Sequence, residues 1–257
     1  MSPTENISKA NEALYPDVAA VPLMVHVVAP ATLPAGYTFE AQVNEDPEKT
    51  FTVEVPSTGV NEGDSFLAPL PENFDAPRLN APTGRWKDGL FNFCSLGFCH
   101  PHLWCAMCCP QILMAQVMTR MNLNWLGIPG PVTSTKNTFK VVVALVVAYM
   151  IYSQALSYAS LAYDPEYVPG YIAALRAIGA TVFSVWTLYS LCKTRENVRA
   201  MYSINEENCV GCEDLCCSFW CSCCTVAQLA RHTGDYEMYQ GACCTETGLP
   251  EGSPHVV

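Results

Sequence analysis

Apolar residues along this chain follow three rhythms in succession. Between residues 21 and 70 they alternate with polar ones. Phe39, Ala41 and Val43 fall on one side, and so do Phe51, Val53 and Val55. Period two predicts half-buried strands, punctuated by Gly36, the polar run Asn44–Lys49 and Pro56. From Gly84 to Met121 the apolar positions crowd together with cysteine. Beyond a Pro/Gly/Ser/Thr connector come two long apolar runs: Val141–Tyr163 has no charged side chain and Tyr171–Cys192 has one, Arg176. Each matches the ~20 residues that a helix needs to cross a bilayer. Only Asp164–Gly170 joins them, so they predict a helical hairpin.

These rhythms divide the chain into a polar, disordered segment at 1–20, a small β unit at 21–70 and a linker at 71–83. A Cys-rich membrane domain follows at 84–235, with spans about 141–163 and 171–192, and an acidic C-terminal tail occupies 236–257. The expected fold class is a mainly α membrane protein: a two-span helical hairpin with Cys-rich flanking helices, plus a small N-terminal all-β unit. Phe98–Met118 is apolar but carries Pro101, Pro110, His100, His102 and Gln111, so it reads as one or two short interfacial or re-entrant helices. Ser153 and Ser157 on the first span, and Ala173, Ala177, Ala180 and Ser184 on the second, are small residues at helical spacing that predict the hairpin seam.

Charge adds direction. Residues 1–80 hold 12 acids and 3 bases, residues 81–200 hold 4 acids and 9 bases, and residues 201–257 hold 8 acids and 1 base, within a net charge of −11. Lys136 and Lys140 precede the first span, Lys193, Arg195 and Arg199 follow the second, and the loop between them carries Asp164 and Glu166. The excess of bases at the outer flanks predicts that both termini are cytosolic. The opening residues show no apolar signal core, which agrees with that orientation. Absence of a basic stripe excludes nucleic acid as a partner. The expected partners are the lipid bilayer, further copies of the chain and divalent metal ions.

Composition supplies the chemistry: there are 15 cysteines. One cluster is Cys94, Cys99, Cys105, Cys108 and Cys109; the other is Cys209, Cys212, Cys216, Cys217, Cys221, Cys223 and Cys224. A two-span hairpin places both on the cytosolic side, where thiols stay reduced. Three uses remain open there. Cys105-x2-Cys108 and Cys209-x2-Cys212 have chelating spacing, and thiolates suit zinc, cadmium or copper(I). Cysteines flanking membrane segments can carry acyl chains. Cysteine is also a small hydrophobe that packs. The candidate metal ligands are therefore Cys105, Cys108, Cys109, Cys209, Cys212, Cys216, Cys217, Cys221, Cys223 and Cys224, with zinc as the candidate cofactor. Cys216 to Cys224 form the expected core of such a site, because a short run closes at small entropy cost. No motif sets a nucleophile beside a base and an oxyanion loop, so the chain does not read as an enzyme.

Trp86-Lys-Asp-Gly-Leu-Phe-Asn-Phe-Cys94, Cys105-Ala-Met-Cys-Cys-Pro110, the two apolar runs, and Cys216-Cys217 with Cys221-x-Cys223-Cys224-x3-Gln228-x2-Arg231 together resemble the placenta-specific gene 8 family. That family includes plant cadmium-resistance proteins and cell-number or fruit-weight regulators. The resemblance spans roughly 84–235. It implies an oligomeric protein of the plasma membrane or an organelle membrane, serving zinc or cadmium export or tolerance, calcium permeability, or control of cell number. The usual Cys-Pro-Cys triplet of the family reads Cys109-Pro110-Gln111 here.

Overall fold

The computed structural model of the protein describes residues 24–43, 46–71, 81–92, 94–98, 100–130, 132–163, 169–206, 209–250 and 253. The segment expected to be disordered at 1–20, most of the linker and the acidic loop at Asp164 and Glu166 lie outside the described residues.

The period-two segment forms two antiparallel pairs. β1 (Met24–Val28) pairs with β4 (Ser65–Pro69), and β2 (Thr38–Val43) pairs with β3 (Asp46–Glu54). Phe51, Val53 and Val55 are buried, as the alternation requires, together with Val25, Val27, Ala41 and Ala68. β4 lacks a clean alternation and was not legible in the sequence. This small core sits apart from the main one, although Leu67 of β4 reaches the helical domain.

The remainder is helical. α1 spans Pro101–Cys108, α2 Pro110–Arg120, α3 Thr138–Leu161, α4 Gly170–Met201, α5 Glu213–Trp220 and α6 Ser222–Thr233. A proline opens both α1 and α2, where its missing N–H costs nothing. α3 and α4 run 24 and 32 residues, and both are long and apolar enough to cross a membrane. Only 6% of the most apolar window of each is buried. A core helix of a soluble domain would be buried over most of that length. Met150, Ile151, Leu161, Ile178, Val182 and Val185 instead stand exposed.

The hairpin seam agrees with the expected one in part: Ser153, Ser157 and Ala180 are half-buried. Ala173, Ala177 and Ser184 are exposed. The closest contacts with α3 are made by Gly179 and Phe183. Tyr149 stacks on Phe183 with ring centroids 4.1 Å apart. The Tyr152 ring lies against Gly179, where a Cβ would collide with it, and its hydroxyl donates to Leu175 O at 2.6 Å. Aromatic rings need a gap, and glycine supplies a deeper one than alanine.

α2 is enclosed by protein rather than lying on a surface. Leu113 to Met118 and Arg120 are all buried, because α2 packs on α3, α4 and α6 and forms the centre of the main core. Its guanidinium is held inside at two nitrogens: Arg120 Nη1 donates to Tyr236 Oη and Nη2 to Ala230 O and Thr233 Oγ1, while the buried Nε has no partner. α1 does keep an exposed apolar side, with Trp104 and Met107.

An internal echo organises the domain. Cys105, Cys109 and Gln116 recur 112 residues later as Cys217, Cys221 and Gln228. Cys109 and Cys221 are the hinges between the short helices of each pair, with φ −142°, ψ 60° and φ −139°, ψ 53°. Each hinge N–H bonds four residues back, to Cys105 O and Cys217 O. The two glutamines then pin opposite loops. Gln228 donates to Asp88 O at 3.0 Å, and Gln116 donates to the carbonyls of Ala242, Cys243 and Thr245. Residues 236–250 were expected to belong to an acidic tail. They fold back onto α1 and α2 through these bonds, with Tyr236 and Leu249 in the core.

Candidate metal centre

The site is built on the junction of α4 and α5. Arg195, in the last third of α4, is 3% exposed and would be costly there without partners. It donates to Asp214 at 2.6 Å and to Glu213 at 3.0 Å in the first turn of α5. Arg199, one turn on, adds bonds to Asp214 at 2.8 and 2.5 Å and to Glu206 at 2.9 Å. The Trp86 ring lies 4.9 Å from the Arg195 guanidinium. Acids at the N-terminus of α5 also complement its dipole. This buried network fixes the start of α5 against α4.

Cysteines flank that fixed point. Gly211, at φ +84°, turns the chain into α5. Cys212 and Glu213 N–H both donate to Cys209 O, and Cys216 N–H donates to Cys212 O. Cys212 and Cys216 stand one turn apart at the start of α5, and the turn at Gly211 brings Cys209 beside them. Their three sulfurs lie within 4.8 Å of one another, the one such group of His, Cys, Asp or Glu ligands among the described residues. Thiolates on a tetrahedral zinc at about 2.3 Å sit about 3.8 Å apart, so closure needs shifts of an ångström or less. Hydrogen bonding of the Cys212 thiol to Cys209, with burial and Cys216 after it, pushes that thiol up to about 12. A cation that displaces those protons relieves this mutual crowding.

The other expected ligands are placed elsewhere. Cys217 is half-buried under α5, its thiol pushed up by burial first and the nearby acids after it. Cys221 forms the hinge. Cys223 and Cys224 stand side by side with sulfurs 3.9 Å apart, and burial, then Cys223, raises Cys224 to about 11. Cys105 is buried in the core, while Cys108 and Cys109 are exposed at the end of α1. None of these joins the trio among the described residues, so the expected core of Cys216 to Cys224 reduces to Cys216. Sequence reasoning missed Arg195 and Asp214, which hold the site, and Cys243 and Cys244. The 112-residue echo was the readable signal that pairs Cys217 and Cys221 with Cys105 and Cys109 as helix-hinge residues.

The motif residues quoted above form one closed scaffold. Asp88 accepts from Arg231 at 2.6 and 2.9 Å. His232 Nδ1 accepts from Lys87 N–H at 3.1 Å, and the His232 ring meets Trp86 at 5.1 Å between centroids. Burial holds His232 down to about 3, hence neutral. The sequence model of the PLAC8 family matches residues 86–232, more than half of the chain. The two ends of the match are thus the two rings in contact. No curated protein and no solved structure matches the chain.

Proposed function

The chain belongs to the PLAC8 family, and from that premise we propose that it is a bilayer-anchored protein that binds a soft divalent metal, zinc or cadmium, through Cys209, Cys212 and Cys216. The convergence of those three sulfurs is the observation that carries the reading. Zinc chemistry fits the donor set, since thiolates are its preferred structural ligands. α3 and α4 would lie in the hydrocarbon, because their apolar side chains have nowhere else to be buried. The cytosol would hold the termini and the thiols, with the plasma membrane as the expected site.

Binding is supported more directly than transport. The hairpin seam is filled by Tyr149, Tyr152, Phe183 and Trp186, and a single pair of helices encloses no conduit. Export or tolerance would need an oligomer. The second reading, a membrane adaptor that regulates cell number and transports nothing, draws on that same filled seam. The test is the metal content of full-length protein purified under reducing conditions. Wild-type protein should carry about one equivalent for the trio, and the triple variant C209S/C212S/C216S should lose it while staying in the membrane fraction. A well-folded wild-type protein with no metal, or a triple variant with unchanged content, would overturn the reading.

A further inference from the structure

Cys105 and Cys243, far apart in sequence, line one narrow crevice together with His102. Gln116 holds the loop that brings Cys243 there, and Cys243 Sγ lies 3.5 Å from Pro101 O. His102 is 2% exposed, yet its Nε2 has no hydrogen-bond partner. An unmet buried polar atom costs roughly 1–3 kcal/mol, so its retention calls for a reason.

The protonation of that ring follows from its neighbours. His100 caps α1, and its Nδ1 accepts from the backbone N–H of His102. A backbone N–H can only donate, so His100 Nδ1 carries a lone pair. His102 Nδ1 lies 2.6 Å from it and must therefore supply the proton of that contact. His102 is then the tautomer with its lone pair on the buried, unpartnered Nε2. A ring whose other nitrogen is held by a hydrogen bond is the usual form of a metal-ligating histidine.

We propose that His102, Cys105 and Cys243 form a second site for a zinc-class cation, separate from the Cys209–Cys212–Cys216 trio and completed by the loop that follows α6. His102 and Cys105 are one helical turn apart on the same buried face, so the loop supplies the ligand from the far side. No three donors here lie within 4.8 Å in the described structure, so binding draws the loop inward. Each thiol gives its proton to solvent as its sulfur bonds the metal, and the imidazole gives its lone pair. A Cys–His nucleophile is the alternative chemistry for such neighbours. No carboxylate or oxyanion loop accompanies Cys105 and His102 in the crevice lining, which leaves a nucleophilic role unsupported. Cys243 lies beyond residue 232, outside the family match.

Cobalt(II) is the probe, titrated into full-length, chelator-stripped protein and read by sulfur-to-cobalt charge-transfer absorption. The C209S/C212S/C216S variant should keep a sulfur-ligated cobalt class. Adding C243S should remove it, whereas adding C244S, which does not line the crevice, should not. Zinc should slow alkylation of Cys243 in the triple variant, mapped by mass spectrometry. His100→Ala should weaken cobalt by about 10- to 100-fold through loss of the positioning hydrogen bond. The proposal is overturned if the triple variant binds no sulfur-ligated cobalt, if C243S leaves that class intact, or if zinc leaves the Cys243 alkylation rate unchanged. Failure of the first site would appear instead as wild-type and triple variant binding equal amounts.

Discussion

Asp214→Ala tests whether the buried ion network positions the thiol trio. Asp214 is 7% exposed and accepts from Arg195 and Arg199. Its removal leaves Arg195 with Glu213 alone and Arg199 with Glu206, and breaking one side of a buried pair typically costs about 3–5 kcal/mol. Part of that loss falls on α5, whose first turn is held to α4 by these bonds. If one residue beside Cys212 must be re-ordered at each binding event, the added cost is about 1–2 kcal/mol, or about 5- to 30-fold in metal affinity. The assay is a competitive zinc titration of detergent-solubilised full-length protein, beside a thermal melt. Glu196→Ala is the control, because its pair with Lys193 is half-exposed and should be worth at most about 1 kcal/mol. Zinc affinity in the Asp214→Ala protein equal to that of the control would refute the argument that the network organises the trio, even if the melt were lowered.

Three other outcomes are expected. Gly127→Ala should destabilise the fold by more than about 1 kcal/mol, since φ is +75° and the new Cβ would lie 2.5 Å from Ser190 O and 2.8 Å from Thr194 N, both backbone; a melting temperature within error of wild type would contradict the packing described. Gly179→Val should splay the hairpin by displacing Tyr152, read as loss of a cysteine cross-link engineered between α3 and α4. Stability should fall on acidification. His26 and His102 are held down to about 4 by burial and His232 to about 3, so the unfolded chain takes up protons first. The loss begins below the ordinary value near 6.5 and grows until the folded-state values are reached, and a pH-independent denaturation midpoint between 7 and 4.5 would contradict it.

The hairpin was legible because two uninterrupted apolar runs leave little choice of structure. The β unit was legible in Phe51, Val53 and Val55 for the same kind of reason. Which cysteines converge was not. Spacing marks Cys209-x2-Cys212 as chelating, but only the turn at Gly211 decides that Cys216 stands beside them. The hinge at Cys221 then carries Cys223 and Cys224 elsewhere. Phe98–Met118 left the enclosure of α2 unread because a helix buried by protein and one lying in lipid share a composition. The return of residues 236–250 draws on Gln116, whose three carbonyl partners leave no trace in a hydropathy pattern.

α4 continues without a break from the apolar hairpin into the Cys-rich domain. Its 32 residues make a rod of about 48 Å. With the hairpin in a bilayer whose hydrocarbon is about 30 Å thick, about 18 Å of rod projects beyond it. Arg195 and Arg199 lie on that projecting part and are tied to α5. A rigid rod pivoting in lipid is a lever, and a modest tilt displaces its free end by on the order of 3 Å. That is comparable to the separation of the three sulfurs. Membrane thickness and lateral pressure would therefore act on the metal centre as a mechanical load, carried by one helix and a pair of arginines.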